Sequence, residues 1–440
     1  MAFLDSLFGK KVGPGVAAAA AGAIIDPKRL NMSKTHSIIG SIESLSHSAK
    51  TTDLVAWLKA NEFKIAKTAL DDDSNMSHHV IAVRPACKGG CFAQGPGCFG
   101  ALKPTDDLYV LGDTHGDHES LIAILDTILD AAKHRGVDEP TVYLLGDILD
   151  RNTESCMVES AFILAIMQRA LPEQFAQYNK IKLGVIKGDH DIAMSYQEPY
   201  SPSKRFTSAV KPADYCDWLN ARLAKNGGKE DYTLIGRAWL KLMGECPAGA
   251  YLEGSGTLLS HGGLPRGDLQ QMMLDGVPYI LQSQGAAVDF EWCRMVDAKN
   301  KLINRGSKTS EIGYQEFEAF NQLLGGHVKN FIFAHQHPAK GFMRLDKNYP
   351  GYDVICISSF RNDTVAGGPT IPYFCKISKD TVNVYSMCPA KYVVRIEEST
   401  TTAKPTAPAA KPATPAATSG KQWVSPTWQS MTTTTTQAKA

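Results

Sequence analysis

The stretch Leu108–Asp117 reads LYVLGDTHGD. Four residues suited to a core (Leu108, Tyr109, Val110, Leu111) stop at Gly112, and Asp113 and His115 follow. A short apolar run cut off by glycine predicts a buried strand that ends in a loop. In open α/β sheets, ligands sit just beyond the carboxyl ends of strands. An Asp-x-His pair placed there offers a carboxylate oxygen and an imidazole nitrogen to one cation. Such a pair is common by chance, so the reading depends on four further stretches that repeat the design.

Thr141–Leu145 is the next apolar run, and it ends in Gly146-Asp147-Ile148-Leu149-Asp150-Arg151. Ile181–Ile186 ends in Lys187-Gly188-Asp189-His190-Asp191. Gly256–Leu259 ends in Ser260-His261-Gly262-Gly263, and Phe331–Ala334 ends in His335-Gln336-His337. Between the first three runs, apolar residues recur at helical spacing, first Leu121, Ile122, Leu125 and Ile128, then across 154–169. Alternating strands, loops and helices predict an α/β core. β-rich runs continue at 353–358 and 381–385, and polar, helix-prone residues 192–250 read as an insertion beside the site.

Each strand end carries a defined chemistry. Asp113 and His115 suit one cation, Asp147 could bridge to a second, and Asp189, His261 and His335 suit that second cation. Two cations about 3.5–4 Å apart can hold a hydroxide and clamp a phosphoryl group for in-line attack. His190, beside a proposed ligand, suits a general acid oriented by Asp150. The planar fork of Arg151 suits phosphate oxygens. His337 falls on the opposite face of an extended segment from His335 and is set aside. Asp117 and His118 read as supporting residues.

The flanks differ from this core. Residues 1 to about 50 are rich in Ala, Ser and Gly, and a helix is expected from Thr52 or Asp53 to a break at Asp71–Ser74. The first 100 residues therefore read as an N-terminal extension, partly flexible, with a Cys/Gly-rich loop at 85–100. In it, Cys87, Cys91 and Cys98, with His78 and His79 upstream, match no tight zinc-ligand spacing. The α/β domain that carries these strand ends is placed at 101–395, and the Thr/Ala/Pro-rich residues 396–440 read as a disordered tail. A net charge of +1 gives no electrostatic case for nucleic acid or an anionic membrane. No run approaches the roughly 20 apolar residues of a membrane span. Cysteines in apolar surroundings point to a reducing, cytoplasmic setting; the Ala-rich Val16–Ile25 makes secretion the alternative.

The ordered set GDTHG, GDILDR, KGDHD, SHGGLP and AHQ resembles the phosphoprotein phosphatase family of calcineurin-like metallophosphoesterases, whose pattern is GDxHG, GDxxDRG, (K/R)GNHE, HGG and AHQ or GHT. The likeness covers roughly 105–390. It implies two mixed β-sheets packed as a sandwich and flanked by helices, with the site at the strand ends. Carried over by motif, one divalent metal would take Asp113, His115 and Asp147, and the second Asp147, Asp189, His261 and His335. His190 with Asp150 would be the acid, and Arg151 and Arg305 the phosphate arginines. Manganese is the metal the resemblance favours, with iron or zinc as alternatives. Three departures stand out: Asp189 replaces the family's Asn, Asn152 replaces a glycine, and Ile357–Asn362 takes the place of the eukaryotic SAPNYC segment. The last departure, with GDTHGD, is similar to the bacterial-type (Shewanella-like) branch, whereas AHQ is closer to the eukaryotic one, and the two signals leave the branch open.

The expected activity is therefore metal-dependent hydrolysis of phosphoserine or phosphothreonine in a phosphoprotein or phosphopeptide, by direct attack of a hydroxide held between the metals. One alternative is a diadenosine tetraphosphate-type hydrolase, with Trp218, Tyr196 and Tyr200 as candidates to sandwich adenine. Another is a phosphate-binding scaffold that recruits partners through the terminal extensions.

Overall fold

The computed structural model describes residues 49–72, 99–102, 108–198, 205–252, 255–265, 273–274, 277–278, 284–300, 304–305, 309–323, 326–338, 341–361, 371–378, 381–387 and 397–398. All lie within the compact unit Met1–Thr402. The N-terminal arm, the Cys87/Cys91/Cys98 loop, Tyr200 and the C-terminal tail fall outside the described residues.

The first sheet is built on the opening stretch. Strands β2 (Leu108–Leu111), β3 (Thr141–Leu144) and β4 (Lys182–Val185) pair in parallel, in register. Strand β10 (Tyr373–Ser378) pairs antiparallel with β2, β11 (Thr381–Ser386) with β10, and β12 (Glu397–Glu398) with β11. The second sheet runs β1 (Phe99–Leu102), β5 (Gly249–Leu252), β6 (Thr257–Ser260), β7 (Asn330–Phe333), β9 (Asp353–Ile357) and β8 (Phe342–Arg344). Within it, β6, β7 and β9 are parallel. Both sheets are mixed and six-stranded among the described residues.

Alternation along the strands explains how the sheets stack. Successive side chains point to opposite faces. Leu108 and Val110 join a core shared with Leu259, Ile332 and Ile355 of the second sheet, while Tyr109 and Leu111 join the core under the helices. In the second sheet, Ile332 faces the sandwich, whereas Phe331 and Phe333 pack against Phe317 and Phe320 of the helix Tyr314–Leu323 on its outer face. A sheet covered on both faces needs apolar residues at every position, which is why these strands read as runs.

Helices α2 (His118–His134) and α3 (Thr153–Met167) cover the first sheet, and α1 (Ala49–Asp71), α4 (Asp214–Lys225) and α5 (Leu234–Glu245) pack on α3. Helix α3 is buried on nearly every side, matching its all-round apolar sequence. The expected helix near Thr52 already includes Ala49 and ends at Asp71. It belongs to the core under the helices: Leu54, Leu58, Ile65, Ala66 and Ala69 are buried in it, and α1 packs on α3 and α5. Lys241 of α5 donates to the carbonyls of Ala69, Leu70 and Asp72 at 2.6–3.1 Å, closing the open carbonyl end of α1. Leu58→Ala should lower stability by about 2–5 kcal/mol, the range for emptying a buried leucine site. Denaturant unfolding of the two proteins checks this; an unchanged midpoint would mean α1 is detachable.

The parallel strands of both sheets end on the same side. There Asp113 bridges to Ser358, and the Ala334 N–H donates to the His261 carbonyl at 2.8 Å. Five motif loops and the end of β9 meet at this edge.

Candidate metal centre

Two glycines let the loops approach. Gly146 has φ +94°, a left-handed backbone, and a Cβ there would meet Gly188 N at 2.3 Å. A Cβ on Gly188 would meet Asp147 N at 2.1 Å. This contact lets the His190 N–H donate to Asp147 Oδ1 at 3.0 Å. The Asp189–Ala193 turn thereby seats Asp189 and His190 beside Asp147.

All six metal residues expected from the sequence converge. Asp147, Asp189, His261 and His335 offer ligand atoms within 4.8 Å of one another, and so do Asp113, His115, Asp147 and His337. Asp147 belongs to both groups. His115 donates from Nδ1 to the Leu149 carbonyl at 2.8 Å, and burial keeps its pKa well below the usual histidine value, so its Nε2 carries a lone pair. That Nε2 faces Asp147 Oδ2 at 3.6 Å, and neither buried atom has a hydrogen-bond partner. Two acceptors set face to face in a buried site call for a cation between them. In the second group, His261 Nδ1 is paired with the Leu145 carbonyl at 2.8 Å. Its Nε2 stands 3.1 Å from Asp189 Oδ1 and 3.4 Å from Asp147 Oδ1. His335 Nδ1 is also 3.1 Å from Asp189 Oδ1. Two donors each about 2.1 Å from a shared cation stand roughly 3 Å apart at octahedral angles. Carboxylate oxygens with histidine nitrogens also suit divalent manganese, iron or zinc. The residues fit a pair of divalent cations.

The strain is concentrated here. His115, Asp147, Asp150, Arg151, His335 and His337 have φ of +44°, +51°, +68°, +67°, +63° and +46°. Left-handed backbone is costly for non-glycine residues and is retained where the surroundings force it, as at functional sites. Asp191 supplies part of that force. Buried on the same short turn as His190, it accepts from the Ile148 and Leu149 N–H groups at 3.2 Å each. It thus holds the loop between Asp147 and Asp150.

Beside the cation groups, His190 Nδ1 lies 2.7 Å from Asp150 Oδ2. Burial opposes charge on His190, but Asp147, the Asp150 hydrogen bond and Asp189 outweigh it and raise its pKa to about 9. The other oxygen of Asp150 accepts from the Tyr215 N–H at 2.9 Å. Tyr215 lies in the first turn of α4, whose Ala213 cap supplies no side-chain bond, so the 192–250 insertion reaches the site through a helix amide. Arg151 Nη2 lies 3.4 Å from His337 Nε2. Arg305 pairs with Thr309 in a short strand; its side chain lies outside the described residues.

Sequence reasoning missed three participants. His337 was set aside for pointing away from His335, and the left-handed turn at both residues instead delivers it to the other cation group, so the His-x-His spacing was the overlooked signal. Asp191, the last residue of KGDHD, has no role in the motif reading. Phe360, in the segment that replaces SAPNYC, lies edge-on to His115 with ring centroids 5.1 Å apart. Of the residues considered for adenine binding, Trp218 stacks on Tyr215 under Arg222, and Tyr196 bonds Glu230 and packs on Phe206.

A two-sheet sandwich with two carboxylate–histidine groups sharing one aspartate defines a dinuclear metal-dependent phosphoesterase. Residues 107–339 match the calcineurin-like phosphoesterase family, and the chain belongs to it. Members are hydrolases of phosphate esters with a dinuclear divalent metal centre. No curated protein matches the chain. Among solved structures it is similar to a cold-active protein-tyrosine phosphatase of a psychrophilic Shewanella species, with 14% identity over 67% of this chain and 81% of that one and a TM-score of 0.36. It is also similar to a putative diadenosine tetraphosphatase, at 13% identity over 66% and 97% with a TM-score of 0.30. A third is a Vps29 mutant from Entamoeba histolytica, at 13% over 66% and 97% with a TM-score of 0.27. No helix among the described residues is long and apolar enough to cross a membrane.

Proposed function

We propose that this chain is a metal-dependent phosphomonoesterase that removes phosphate from phosphoserine or phosphothreonine in proteins, with two manganese ions in a reducing, cytoplasmic setting. The observation that carries the reading is the His190–Asp150 pair, 2.7 Å apart and seated against the two cation groups. An alkoxide leaving from a serine or threonine ester needs a proton, and a charged imidazole oriented by a carboxylate is suited to supply it.

Asp113, His115, Asp147 and His337 would hold one cation, and Asp147, Asp189, His261 and His335 the other. Bound divalent cations acidify water and neutralise charge on phosphoryl oxygens. The protein's own residues do the rest. Asp150 fixes the His190 ring through Nδ1, which leaves Nε2 to donate the proton to the departing oxygen. The Tyr215 amide keeps the Asp150 carboxylate from turning away. Arg151 directs its guanidinium to phosphate oxygens, with Arg305 as the second arginine. The six described cysteines are buried, in keeping with a reducing compartment.

The test is phosphate release by the purified chain with Mn2+, on phosphothreonine, phosphoserine and phosphotyrosine peptides and on diadenosine tetraphosphate side by side. Turnover of the first two supports the reading. Turnover of the dinucleotide alone, or of phosphotyrosine alone, moves the substrate class. Two bound metals with no turnover of any substrate favours a scaffold.

Asp189→Asn should keep both metals and retain or raise activity, because the amide oxygen reaches the same place with one less negative charge on the second cation. Its readouts are metal stoichiometry and kcat on the peptide. A loss beyond about tenfold, the scale at which support of a ligand shell begins to fail, would give the carboxylate a role beyond coordination.

A further inference from the structure

We propose that Phe360, fastened by Arg361, is the positioning residue that sets the imidazole planes of the first cation group, and of His337 above all. The inference rests on the metal reading above and goes beyond it by naming what aligns one ligand.

The ring contacts are specific. His115 and His337 lie nearly parallel, with centroids 5.4 Å apart and planes 13° apart. Phe360 meets both edge-on, at 5.1 Å and 83° for His115 and at 5.7 Å and 84° for His337. One ring standing perpendicular to two stacked rings at contact distance limits the rotation of both, since turning either imidazole would drive it into the phenyl ring. Phe360 is buried and carries no donor atom, so its contribution is orientation.

Other contacts hold the group as well. Asp113 accepts from the His335 N–H, Asp147 accepts from the His190 N–H, and His115 Nδ1 is tied to the Leu149 carbonyl. His337 sits on left-handed backbone beyond β7, outside any helix or strand. Its Nε2 stands between Asp113 Oδ2 at 3.8 Å and Arg151 Nη2 at 3.4 Å. The tilt of the ring decides which of these it addresses, and that tilt is what Phe360 sets.

Phe360 is in turn held by its neighbours. The Ser359 N–H donates to the Asp113 carbonyl at 2.9 Å, and Ser359 Oγ accepts from the Gly112 N–H at 2.8 Å. On the other side, the Arg361 N–H and Nε donate to Asp117 Oδ2 at 2.8 and 3.0 Å. Its Nη2 donates to Asp117 Oδ1 at 2.8 Å and to Glu119 Oε2 at 2.6 Å. Asp117 also caps α2 by accepting from the Ser120 N–H. A two-point arginine–carboxylate pair on a helix cap is a rigid anchor, stronger than an isolated surface ion pair.

The experiment is Mn2+ titration of the full chain by calorimetry, with thermal unfolding measured alongside, for wild type, Phe360→Leu, Arg361→Met and the double variant. Arg361→Met keeps the side-chain stem at a partly exposed position, so it tests the anchor even if the leucine variant misfolds. The expected result is two Mn2+ sites in wild type. In each single variant, one site weakens about 10–100-fold, the range for lost support of a ligand, and the other is unchanged. The double variant should be no worse than Phe360→Leu, because both act through one ring. Unchanged affinities, or equal weakening of both sites, would overturn the proposal. Wild-type protein that takes up no Mn2+ would overturn the metal reading itself.

Discussion

His190→Asn is expected to lower kcat on a phosphothreonine peptide by about 10²–10⁴-fold, the range for removing a positioned general acid. Asn is close to His in reach and cannot deliver a proton. Asp150 keeps its bond from the Tyr215 N–H, and the backbone bond from residue 190 to Asp147 is unaffected. Two Mn2+ ions per chain should therefore remain. The loss should depend on the leaving group. An aryl phosphate departs as a stabilised phenolate and needs little protonation, so the variant should be far less impaired on it than on the peptide. Equal losses on both substrates would assign His190 to phosphate binding instead of proton donation.

Asp147→Asn is expected to act on both metals at once. Asp147 is the one residue shared by the two groups, fully buried, facing His115 through Oδ2 and His261 through Oδ1. The amide has one oxygen where the carboxylate has two, and an N–H₂ turned toward either cation repels it. Metal content should fall from two, and activity should drop on the order of 10³-fold, as expected when several kcal/mol of transition-state charge stabilisation is lost. Asp113→Asn makes the comparison sharp, because Asp113 serves the first group alone and its loss should spare the second cation. If both variants lost the same single metal, the bridging assignment would fail.

The His190–Asp150 pair and the aspartate shared by the two groups, Asp147, were legible in the sequence because each sits a fixed few residues past an apolar run. A strand end places the next residues at the sheet edge, so spacing alone brought Asp113, His115, Asp147, Asp189, His190, His261 and His335 to one place. The boundaries of the strands moved by a residue or two, which leaves that placement intact. The arm-like reading of the first 100 residues did not anticipate α1 as a full member of the core. Its apolar residues are spaced for packing, but only the α3 and α5 surfaces show what they pack on.

The sequence by itself determined the alternating α/β core and the residue types at each strand end, which follow from periodicity and short spacings, and it carried the ordered motifs whose family resemblance implied the two-sheet sandwich. Tertiary structure alone decided that His337 joins Asp113 and His115, that Asp191 and the Tyr215 amide hold the loop and the His190–Asp150 pair, and that Phe360, next to the Arg361 that pairs with Asp117, lies edge-on to His115 and His337. Those facts depend on left-handed backbone angles and on contacts such as that between Asp117 and Arg361, 244 positions apart. Periodicity reports which face a side chain takes within its own element, and it carries no information about which distant loop that face will meet.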